Sequence, residues 1–149
     1  MALGLTTADR TALLAQVADI YTRLAARPLG RNCLSRTQCC RFRLTGQTPF
    51  LTRGEALLAR NAARAIGRKK LTPPPDGSCP LLGTDGRCSI YHARPFACRT
   101  HFCDPAGGPT PRRDVRDLIH ELEAIDTRLG GHGGMGLPAA LKWATTQAP

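Results

Sequence analysis

All seven cysteines of this chain fall in two short stretches. Cys33, Cys39 and Cys40 form the first; Cys79, Cys88, Cys98 and Cys103 form the second. Soft thiolates suit zinc, iron and iron–sulfur clusters. Sulfur supplied by two separate segments points to one shared metal site. The spacing does not name the metal. Zinc knuckles place two ligands two to four residues apart, twice, and no CxxC occurs here. The same absence removes a thioredoxin-type motif. Common ferredoxin spacings also fail, although Cys79-Pro80 is a dipeptide that accompanies some clusters.

The stretch CPLLGTDGRCSIYHARPFACRTHFC, residues 79–103, resembles the YkgJ-type cysteine-cluster family, a CxxCxxCC zinc- or iron-chelating domain. The resemblance is carried by Cys79, Pro80, Leu81, Gly86, Cys88, Ile90, Tyr91, Arg94, Pro95, Cys98 and Arg99. Cys33, Cys39 and Cys40 match the family's first cysteine segment. Arg36 stands where that pattern has its second cysteine, so a site using the full set of eight is not available. The resemblance covers roughly residues 33–103 and implies a metal or cluster held between the two segments. Adjacent Cys39 and Cys40 side chains diverge, which makes joint ligation of one ion awkward. The expected ligands are therefore Cys39 or Cys40 with Cys79, Cys88 and Cys98, and then Cys33 and Cys103. A more distant resemblance reaches the cysteine-rich segment of flagellin lysine N-methylases. It adds weight to an iron–sulfur cluster but brings no methylation, since no S-adenosylmethionine-binding motif accompanies it.

Neighbouring residues complete the expectation. Arg94 and Arg99 are candidates to stabilise thiolate charge or to hydrogen-bond cluster sulfurs. Tyr91 is expected to pack over the site. His101 lies within reach of Cys98 and Cys103, yet a lone loop histidine more often hydrogen-bonds at the surface. His92 is a weaker candidate, and His132, among glycines, reads as solvated. Two other functions compete with metal binding. A thiol redox enzyme or sensor would use a low-pKa cysteine, with Cys98 beside Arg99 the first suspect. A basic nucleic-acid-binding module would treat the metal as structural. No Ser-His-Asp order, phosphate loop or paired-carboxylate signature is apparent, so no catalytic constellation is assigned.

Lys and Arg total 21 against 11 Asp and Glu, giving a net charge of +10. Such charge suits phosphate contacts, but no nucleic-acid-reading module accompanies it. It also suits local balance, because four thiolates on a divalent ion leave a negative centre. The run Arg68-Lys69-Lys70 reads as a solvated helix end. The N-terminal sequence predicts no secretory signal, and no apolar run reaches membrane-spanning length. The expected compartment is the cytoplasm, where thiols stay reduced. Seven, an odd count, also argues against a disulfide framework.

These sulfurs need elements to position them. Capping boxes at Thr6–Asp9 and Thr52–Glu55 predict helices over 6–26 and from about 53 to 66. Pro28 and Gly30 end the first and Gly67 the second. Periodic apolar residues predict a third helix over 113–129, and Pro138–Thr146 a short fourth. Asp85-Gly86 predicts a tight turn that folds Cys79 and Cys88 towards each other as a short hairpin. The fold class is mainly α: three to four helices around a loop-rich cysteine metal site with one short β-hairpin. Residues 1–129 are expected as a single metal-binding domain, and 130–149 as a Gly-rich linker with a short helix.

Overall fold

The computed structural model describes residues 4–34 and 38–149. Arg36, the departure from the cysteine pattern, lies outside the described residues. The first helix, α1, spans Thr7–Ala25. Thr6 Oγ1 accepts from the Asp9 amide at 3.1 Å, and the Asp9 carboxylate accepts from the Thr6 amide at 3.0 Å. A short helix α2, Phe42–Thr45, and strand β1, Phe50–Leu51, lead into α3, Arg53–Ala65. Gly67, at φ +84°, ends α3 in the left-handed region where glycine is least strained. Helix α4, Phe96–Thr100, follows the cysteine-bearing turns. Helix α5, Arg116–Arg128, strand β2, Met135–Gly136, and helix α6, Leu137–Thr145, complete the chain.

The fold is mainly helical, as the periodicity predicts. The ladder, however, pairs distant segments: β1 runs antiparallel to β2, with Phe50 opposite Gly136 and Leu51 opposite Met135. The Asp85-Gly86 turn forms, closed by a single antiparallel bridge between Leu82 and Cys88. The Gly83 amide donates to the Arg87 carbonyl at 2.7 Å and the Ser89 amide to Leu81 at 2.9 Å.

Helix α3 divides the interior into two parts. On one side, Leu13, Val17 and Ile20 of α1 meet Leu118, Leu122 and Ile125 of α5. Gly54 lets α3 lie close against α1: a Cβ there would come within 2.8 Å of Val17 Cγ2. On the other side, Ala56, Leu57 and Ala63 pack with Leu137 and Leu141 of α6, and with Cys79, Leu81 and Ile90. The last element is tied in by Arg60. Its buried guanidinium donates to the carbonyls of Ala144 at 2.8 Å and Gln147 at 3.0 Å, closing the C-terminal end of α6. Among the described residues, no helix is long and apolar enough to cross a membrane.

Candidate metal centre

The two cysteine segments meet through the backbone. Cys39 and Cys40 sit on a single 3-10 turn, Gln38–Cys40, and the Cys40 carbonyl accepts from the Cys79 amide at 2.7 Å. Beyond that contact, Cys79-Pro80-Leu81-Leu82 turns back on itself, with the Leu82 amide donating to the Cys79 carbonyl at 3.0 Å. The turn also aims the Leu81 and Leu82 amides at the Cys79 sulfur, as the Ile90 amide is aimed at Cys88. Amides directed at sulfur favour the thiolate. Burial opposes them and wins: it pushes Cys79 up to about 11 and Cys88 upward as well.

Cys98 sits on α4, whose start is fixed by Glu55. This buried carboxylate accepts from the Phe96 amide at 2.7 Å and the Tyr21 hydroxyl at 3.2 Å. The same side chain caps α3, accepting from the Thr52 amide and hydroxyl, each at 3.0 Å. One capping-box residue thereby joins α1, α3 and α4. Burial holds the Cys98 thiol well above the ordinary range. The expectation of a low-pKa Cys98 is thus corrected. Arg99, adjacent in sequence, instead donates to the Arg94 and His92 carbonyls at 2.6 and 2.7 Å and lies 4.2 Å over the Tyr21 ring. It braces the turn before α4. The acidic thiol is Cys39. A hydrogen bond from Cys40 chiefly lowers it, to about 6, with help from His101 and Arg94, and Cys40 is correspondingly raised.

Arg94 lies 3.9 Å over the Tyr91 ring, and its charge favours the thiolates of Cys39, Cys88 and Cys98. The Tyr91 hydroxyl bonds with Cys33, which raises the tyrosine's pKa. Arg68, read from sequence as solvated, is a site residue that the sequence did not reveal. Its guanidinium donates to Ser89 Oγ at 2.8 Å and to the Pro80 carbonyl at 2.7 Å, gripping both arms of the Cys79–Cys88 turn. It also favours the thiolate at both cysteines. Nothing in the run Arg68-Lys69-Lys70 distinguishes the residue that turns inward.

One cavity of about 900 Å³ collects Cys33, Cys39, Cys40, Cys79, Cys88 and Cys98, with His101 beside them. Cys103 does not line it; its carbonyl accepts from the Ala106 and Gly108 amides at 2.8 and 3.1 Å. His92 and His132 also lie off the cavity wall. None of the seven cysteines forms a disulfide. Among the described residues, no three Cys, His, Asp or Glu side chains stand in a ready-made metal-holding group. The donor set nonetheless fits a thiophilic ion, with several sulfurs on one wall, amides aimed at two of them and guanidiniums nearby.

A helical scaffold that presents loop-borne thiols from two segments to one cavity defines a cysteine-cluster domain. The chain belongs to the CxxCxxCC family, described as a putative zinc- or iron-chelating domain, whose model matches residues 31–120. No curated protein and no solved structure matches the chain.

Proposed function

We propose that this protein holds zinc, iron or an iron–sulfur cluster at the sulfur wall of the cavity. Cys79, Cys88, Cys98 and one of Cys39 and Cys40 serve as ligands, with Cys33 the next candidate. The supporting observation is the convergence of six cysteines, from segments about forty residues apart, on one cavity. Zinc would supply a cross-link or a Lewis acid, whereas iron or a cluster would supply one-electron chemistry. The chain's own groups prepare the site. Leu81, Leu82 and Ile90 amides stabilise sulfur charge, Arg68 and Arg94 offset it, and Glu55 seats the helix that carries Cys98.

Anaerobic purification followed by metal analysis and visible spectroscopy tests this reading. Bound zinc without colour, or iron with visible absorption, supports it and selects the metal. Folded, colourless, metal-free protein with seven titratable thiols overturns it.

One observation favours a second reading, thiol redox sensing. Cys39 is exposed, acidic and hydrogen-bonded to a neighbouring thiol. In that case Cys39 alkylates well ahead of the other cysteines near neutral pH, even in metal-loaded protein. Uniform labelling rates would exclude it.

A further inference from the structure

The cavity is larger than a metal needs. A bare ion occupies less space than a water molecule, whose share of liquid volume is roughly 30 Å³, and the cavity holds about 900 Å³, within the ordinary range for organic ligands. Its lining also includes apolar residues: Phe96 of α4, Val115 at the N-cap of α5, and Ile119 and Leu122 of α5. Thr110 lines the same cavity. The residue is 8% exposed, and among the described residues its Oγ1 is the buried side-chain oxygen or nitrogen without a hydrogen-bond partner. A buried hydroxyl left unpaired costs the desolvation of that group, so an orphan facing a cavity marks where a polar ligand atom would sit.

Charge narrows the class. Arg87 and Arg112 also line the cavity, and among the described residues neither has an ion-pair partner. The lining acids are Glu55, whose carboxylate already accepts from Thr52, Tyr21 and Phe96, and Glu123. Two guanidiniums without an ion-pair partner, against the one further carboxylate of Glu123, in a cavity with apolar lining suit an anion with an apolar body. We infer that the wall formed by Thr110, Val115 and Ile119 binds a small organic carboxylate, with Thr110 Oγ1 donating to one oxygen and the apolar body lying along α5.

The test titrates 4-phenylbutyrate into the full-length protein as purified, following backbone amide shifts by NMR. 4-Phenylbutylamine serves as the charge-reversed control. Saturable binding is expected, with the largest shifts at Thr110, Val115 and Ile119, and the amine about tenfold weaker. Thr110→Val should weaken binding about tenfold while raising the melting temperature, because it removes the orphan hydroxyl at nearly constant volume. A threonine needed only for structure would lower it. Ile119→Trp, which fills the apolar wall, should abolish binding. Absent or unsaturable shifts overturn the inference, as does equal binding by Thr110→Val and Ile119→Trp. Equal binding by the amine overturns the carboxylate class. Metal content measured on the same samples separates this inference from the metal assignment, since a carboxylate bound to metal-free protein would retain the one and remove the other.

Discussion

The two sides of α3 bury their groups on different terms. Towards α1 and α5 the interior is apolar, with Leu13, Val17, Ile20 and Leu118 fully excluded from solvent. Glu55, a buried carboxylate bordering that side, has all its donors in hand. Towards the cysteines, the interior holds thiols that burial keeps protonated at Cys79, Cys88 and Cys98, beside an acidic Cys39. One side is held by packing and paired polar groups. The other buries sulfur that, under the proposed function, a metal would bind. The difference teaches that the close-packed helix contacts and the buried thiols lie on opposite faces of one helix, and each face can be perturbed separately.

The largest effect expected is from metal removal. Under the proposed function, chelation removes stabilisation on the order of 10 kcal/mol, the scale of structural metal sites. Hydrogen exchange should show protection lost in 79–100 and kept in α1, α3 and α5. Uniform loss would mean that the two sides are one cooperative unit. Next, Leu118→Ala should cost about 2–5 kcal/mol in chemical denaturation and leave metal content unchanged. Loss of metal in this variant would break the comparison from the other side.

Arg68→Met keeps the aliphatic stem and removes both bonds to the Cys79–Cys88 turn. Metal affinity should fall about tenfold or more, with little change in metal-free stability, as read by competition with a chromogenic chelator. Proton release sharpens the contrast further. Cys79, Cys88 and Cys98 must each lose a proton to ligate, so affinity should rise with pH through neutrality and continue towards about 11, the Cys79 value. Calorimetry in buffers of different ionisation enthalpy counts those protons. Affinity independent of pH would show that these thiols do not ligate. The smallest effect belongs to the apolar side. Asp117 of α5 pairs with Arg27, just past the end of α1, which lowers its carboxyl to about 2. Its support is present above the unfolded value of 3.8 and is lost as pH falls towards 2. Asp117→Asn should flatten acid unfolding between those limits and lower neutral stability by the same small amount, since the pair is solvent-screened.

Much of this scaffold was legible. Capping boxes and apolar periods mark α1 and α3, and Gly67 and Gly130 mark helix ends, because helix signals are local. The β1–β2 pair left no trace, since two-residue strands joined across more than eighty residues have no alternation to read. At the site, cysteine clustering and the family pattern disclosed the sulfurs, but the residues acting on them escaped. Glu55 was recognisable as a helix cap, not as the group that also seats α4. Arg68 was hidden in a basic run. Cys98 was misjudged because Arg99 follows it in sequence, whereas on a helical turn burial outweighs that neighbour and the guanidinium reaches backbone carbonyls instead.

Glu55 has a consequence for timing. Its carboxylate accepts from the Phe96 amide together with Tyr21 of α1 and Thr52 at the start of α3, so the seat of Cys98 is complete only where all three elements meet. Under the proposed function, a newly made chain would therefore complete the seat of Cys98 as its helices dock, and become competent for metal late. Loading would follow folding instead of driving it, so a refolding chain should acquire metal no faster than Tyr21 becomes buried.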